Sequence, residues 1–69
     1  MTKSTVQFIK EALIYNCMIN ETDHIRCEVE SVGFQFAEIM VAVMEKGKRK
    51  PYAFHHATLD TIRGQVKVY

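Results

Sequence analysis

The stretch Phe34-Gln35-Phe36-Ala37-Glu38-Ile39-Met40-Val41-Ala42-Val43-Met44 decides how this chain folds, because it carries two incompatible periodicities. At 3.6 residues per turn, Phe36, Ile39, Met40, Val43 and Met44 form a helical stripe; at period two, Ile39, Val41 and Val43 line one face of a strand. Ala37, Glu38, Met40, Ala42, Met44 and Glu45 are helix formers. Gly33 and Gly47 stand just past the ends of the second and third periodic runs, where left-handed C-caps are wanted. Both features favour a helix. Under the strand reading, residues 46–50 become the tip of a hairpin joining 39–44 to 52–56.

The segment before it has the same duality. Ile25, Val29 and Val32 recur at helical spacing up to Gly33, while Ile25, Cys27 and Val29 alternate with Arg26, Glu28 and Glu30 as in a strand. Further upstream only a helix fits. Ser4 or Thr5 can cap it, Gln7 completes a capping box with Ser4, and Val6, Ile9, Ala12, Leu13 and Cys17 share an arc widened by Phe8 and Tyr15, to about Met18. Downstream, Lys46 to Pro51 is a charged connector, and Leu59, Ile62 and Val66 repeat at i, i+3 and i+7 with His55 one turn earlier. Together these predict an all-α, compact three- to four-helix, helix-turn-helix-like domain, with 55–64 as its last helix and 66–69 extended beyond Gly64. The alternative is α+β, an N-terminal helix packed on a small antiparallel sheet.

With 69 residues the chain is expected to be one small domain, 1–69, and at 48% apolar residues it should fold. A chain this short has a thin stability margin, which makes a homodimer an expectation. Cys17 and Cys27 are too few for a disulfide framework, and no basic-then-apolar leader is visible, so a cytoplasmic location is expected. The longest apolar-dominated stretch, 34–44, falls far short of the ~20 residues that cross a bilayer, so no membrane partner is expected.

Net charge is +1, but it is unevenly placed. Residues 1–45 hold three bases and seven acids, net −4, and residues 46–69 hold six bases and one acid, net +5. A cationic last third suggests an anionic partner, DNA above all. A helix in the major groove needs short donors and acceptors toward base edges and cations toward phosphates. Thr58, Thr61 and Gln65 fit the first role, and Lys48, Arg49, Lys50, His56, Arg63 and Lys67 the second.

The run His55-His56-Ala57-Thr58-Leu59, followed by Ile62, resembles the signature of the C-terminal DNA-binding domain of the bacterial replication initiator DnaA. His56, Ala57, Thr58 and Leu59 match that pattern's His, small, Thr and aliphatic positions, and Ile62 takes a small apolar one; the Arg-Asp pair that precedes them in the family is Phe54-His55 here. The resemblance covers about a dozen residues. It implies a helix-turn-helix, a recognition helix starting near His56, and a regulatory or replication-linked role on DNA.

Other chemistry is weakly signalled. Cys17, His24, Cys27, His55 and His56 are metal-capable, but their spacing does not match a zinc site, and neither metal nor cofactor is expected. Cys27 with His24 or His55 lacks a Gly-rich elbow or paired carboxylates, so no enzyme is expected. Met18, Met40 and Met44 read as core filler. The competing functional expectation is a small inhibitor or adaptor that sequesters a protein through the apolar arc of helix one or an exposed sheet edge. Its motive is the surplus of Phe8, Tyr15, Phe34 and Phe36 that one small core does not absorb.

Overall fold

Ser4 starts the first element: its Oγ accepts a hydrogen bond from the Gln7 N–H at 3.2 Å, capping helix α1 (Thr5–Tyr15). The computed structural model describes residues 4–69. The helix stops at Tyr15, earlier than the apolar arc suggests, because the chain there makes a Schellman cap. The Cys17 N–H bonds the Ile14 carbonyl at 3.0 Å, the Met18 N–H bonds the Leu13 carbonyl at 2.9 Å, and Cys17 takes the left-handed conformation at φ 58°. Asn16 reinforces the end by donating from Nδ2 to the Ala12 carbonyl at 2.7 Å.

Everything after this cap is sheet. Strands β1 (His24–Val32), β2 (Phe36–Met44), β3 (Ala53–Asp60) and β4 (Gln65–Val68) pair antiparallel with their sequence neighbours in the order β1-β2-β3-β4. The all-α, helix-turn-helix-like expectation is therefore overturned. The fold is α+β: among the described residues there are one helix and a four-stranded antiparallel sheet, the arrangement set out above as the alternative. Helix propensity at Ala37, Glu38, Met40 and Ala42 is outweighed by cross-strand burial. Ile25 faces Val43, Cys27 faces Val41, Val29 faces Ile39, and Ala57 and Ala53 face Ile39 and Val43 from the other side. One helix could not place Ile39, Val41 and Val43 on a single face, whereas a strand does so automatically.

The three turns follow from local chemistry. Gly33 donates to the Phe36 carbonyl at 2.7 Å to close the β1–β2 turn. Residues 45–52 link β2 to β3, with Gly47 at φ 81° and Lys48 donating to the Glu45 carbonyl at 3.0 Å. After β3, Asp60 organises the chain: Oδ1 accepts the N–H groups of Ile62 at 3.1 Å and Arg63 at 2.9 Å, and Gly64 at φ 67° donates to the Asp60 carbonyl at 2.8 Å. This turn is why 55–64 is not the predicted helix. Leu59 and Val66 do associate, but as cross-strand partners, while Ile62 sits exposed in the turn.

The core lies between α1 and one face of the sheet. Ile9 and Leu13 from the helix are completely buried against Val41, Val43, Ile39 and Ala57, and Ile25, Cys27, Leu59, Val66 and Val68 pack around them. Val6, Phe8 and Tyr15 of the expected apolar arc remain exposed. Met44 is buried and Met40 half-buried, and Met18 packs at the core's margin.

Candidate functional site

Because α1 covers one face only, alternation along the strands leaves the other face open, and its residues fall into cross-strand rows. One row is Glu28, Met40, His56 and Tyr69; a second is Arg26, Ala42 and Phe54; a third is Ser31, Glu38, Thr58 and Lys67; a fourth is Phe36, Asp60 and Gln65. Phe54, Tyr69 and Phe36 are 62%, 55% and 49% exposed. The sheet thus presents aromatic and sulfur-bearing side chains to solvent across β2, β3 and the end of β4.

His56 and Tyr69 form the centre. They exchange backbone hydrogen bonds of 3.3 and 2.8 Å, and their ring centroids lie 5.9 Å apart at 41°. Lys67 places Nζ 5.6 Å from the Tyr69 ring centroid. Glu30 reaches across β2 to set Oε1 3.6 Å from His56 Nε2, which the β1 bulge between Val29 and Ser31 makes feasible by re-aiming the strand. Beside this cluster is a shallow depression of about 480 Å³, bounded by Phe36 and Tyr69 with Thr58, Asp60, Gln65 and Lys67 between them. Asp60 is held below the usual carboxylate range chiefly by the Arg63 N–H, with Gln35 and Ile62 assisting, so it stays charged there.

The residues expected to bind nucleic acid divide three ways. His56, Thr58, Gln65 and Lys67 share the open face. Thr61 and Arg63 lie in the β3–β4 turn; the Thr61 hydroxyl is committed to the Gln35 carbonyl at 2.8 Å and the Arg63 N–H to Asp60. Lys48, Arg49 and Lys50 lie in the β2–β3 loop, at the other end of β3, some 25 Å away at ~3.3 Å per residue; Lys48 meets Glu45 at 3.4 Å. The matching residues of the DnaA-like signature, His56 to Leu59, lie on β3, so they start no recognition helix. Sequence reasoning missed Met40, Phe54, Tyr69 and Glu30; the period-two alternation around Ile39 was the signal that places Met40 and its cross-strand neighbours opposite the core.

Charge on this face is predominantly acidic, with Glu28, Glu30, Glu38 and Asp60 against Arg26 and Lys67. Among the described residues, no group of three or more His, Cys, Asp and Glu is placed to hold a metal ion. Cys27 is on the helix side of β1 and burial pushes its thiol up, away from the nucleophilic thiolate. The face is aromatic and edged by both signs of charge. No family model matches the chain, and neither a curated protein nor a solved structure proves similar to it. Among the described residues no helix is long and apolar enough to cross a membrane.

Proposed function

We propose that the protein is a small protein-binding module, an adaptor or inhibitor, that docks its partner on the open sheet face. The observation that carries this reading is the uncovered set Phe36, Met40, Phe54 and Tyr69 on a face whose charged residues are mostly acids. Single folded chains seldom leave contiguous apolar surface beyond a few hundred Å² without a use for it. Aromatic side chains are the usual energetic anchors of protein interfaces. Phosphate backbones, by contrast, are attracted by clustered cations, and here the cluster, Lys46, Lys48, Arg49 and Lys50, sits in the β2–β3 loop rather than on the open face, whose cations are Arg26 and Lys67.

The test is affinity capture with the intact chain as bait beside its Phe36→Ser/Phe54→Ser variant. A protein retained at moderate salt by the wild type and lost from the variant supports the reading. Micromolar binding of single- or double-stranded oligonucleotide with a steep fall on adding salt would replace it with a nucleic-acid function.

A further inference from the structure

We propose that a second copy of this chain pairs with it along β1, joining the two sheets into one continuous eight-stranded sheet. The proposal concerns the strand edge, so it stands apart from the reading of the open face. β1 is the long edge strand, with no strand on its outer side among the described residues. The direction of its free backbone groups follows from the ladder. His56 exchanges both bonds with Tyr69, so even-numbered residues of β3 point their N–H and C=O toward β4 and odd-numbered ones toward β2. Carried through the registers, Arg26 and Glu28 bond β2, while Ile25, Cys27 and Val29 aim their N–H and C=O groups outward. The Gly33 N–H bonding the Phe36 carbonyl, and the Tyr52 N–H bonding the Val43 carbonyl, agree with this assignment.

The side chains of that edge read as their own complement. Antiparallel pairing centred on Cys27 sets Ile25 against Val29 on the helix side and Arg26 against Glu28 on the open side, each twice by symmetry. Slipping the register by two residues, the smallest slip that keeps each side chain on its own face, sets Arg26 against Arg26, or Glu28 against Glu28 in the other direction, so charge selects the centred register. Charged side chains on an edge usually discourage pairing, but Arg26 and Glu28 stand on either side of Cys27, so in the centred register each meets its opposite on a second copy. The bulge between Val29 and Ser31 ends the regular edge at Val29, so the uninterrupted outward run 25–29 is itself centred on Cys27. Val29 is 59% exposed, as an unfilled pairing position would be. A two-fold axis normal to the sheet would put both helices on one side and both open faces on the other, doubling the docking platform.

Analytical ultracentrifugation of the intact chain tests this. The expected result is a species of twice 8.0 kDa. Arg26→Glu and Glu28→Arg should each weaken it about tenfold or more, through two repulsive pairs per dimer, and the two combined should restore it. Val29→Pro should abolish the dimer while leaving circular dichroism unchanged, since the N–H it removes bonds nothing within the monomer sheet. A chain that stays monomeric at every concentration overturns the proposal. So does a dimer indifferent to Val29→Pro, or one that the paired charge reversal fails to restore.

Discussion

The Tyr52 hydroxyl donates a hydrogen bond to Asp23 Oδ2, tying the loop between α1 and β1 to the loop between β2 and β3. The same oxygen accepts the Asn20 N–H at 3.0 Å, and Asp23 is nearly buried, at 3% exposure. Tyr52 is the first cause and Asn20 the second that hold the Asp23 carboxyl below its ordinary value, and the bond to Asp23 in turn raises the Tyr52 phenol. The carboxylate therefore stabilises the fold above the ordinary carboxylate range, and this contribution is lost as the pH falls through the depressed folded value. The phenol's contribution is present below its ordinary range and lost as the pH rises through its raised value.

Tyr52→Phe is accordingly expected to lower the thermal midpoint most between about pH 5 and pH 9, where the carboxylate is charged and the phenol protonated. The difference from wild type should shrink in strong acid. Unfolding curves across that range check it, and identical midpoints at neutral pH would remove the bond's assigned role.

Cys17→Gly is expected to stabilise the protein by about 0.5–1 kcal/mol, because a side chain at left-handed φ is strained and glycine is not. For a domain this size that is a rise of roughly 2–8 °C in the unfolding midpoint. Cys17→Ala should give no such gain, and scanning calorimetry of the two variants separates backbone relief from loss of the thiol.

Leu13→Ala should cost about 3 kcal/mol, through lost burial and the cavity left against Val41 and Val43. Phe54→Ser, on the open face, should change stability by less than about 1 kcal/mol. Urea titrations of the pair would show whether the two faces of the sheet really differ in this way; equal penalties would mean that the outer aromatics are core.

Asp60→Ala should release β4 without unfolding the rest, because it removes the acceptor for Ile62, Arg63 and the Gln35 side chain, whose bond to Asp60 Oδ2 is 3.2 Å. Amide exchange reads this directly. Gln65, Lys67 and Tyr69, whose N–H groups face β3, should lose protection while Val41 and Val43 keep theirs.

Some of this architecture is legible in the chain itself. The Ser4 cap, the pair Ile9 and Leu13 one turn apart, and the alternation Ile25, Cys27, Val29 are local patterns, and local physics makes each what it is. The turn at Asp60 to Gly64 also has a local cause, an aspartate able to take two N–H groups and a glycine able to turn left-handed, although Leu59, Ile62 and Val66 imitate a helix across it. Residues 36–44 are different. Their propensity is helical and their pattern ambiguous, so only burial against β1, β3 and the helix decides for strand.

The candidate face shows the same division. His56, Thr58, Gln65 and Lys67 were visible as chemistry, and the amino-acid sequence by itself determined their types and the end-to-end separation of charge. Which of them would meet, and that Phe36, Met40, Phe54 and Tyr69 would stand beside them uncovered, was decided by strand register and by a single helix having one side of the sheet to cover. Neighbours along a chain are set by covalent bonds, but neighbours across a sheet exist only once the non-local hydrogen-bond ladder has formed, and no short window of residues contains that information.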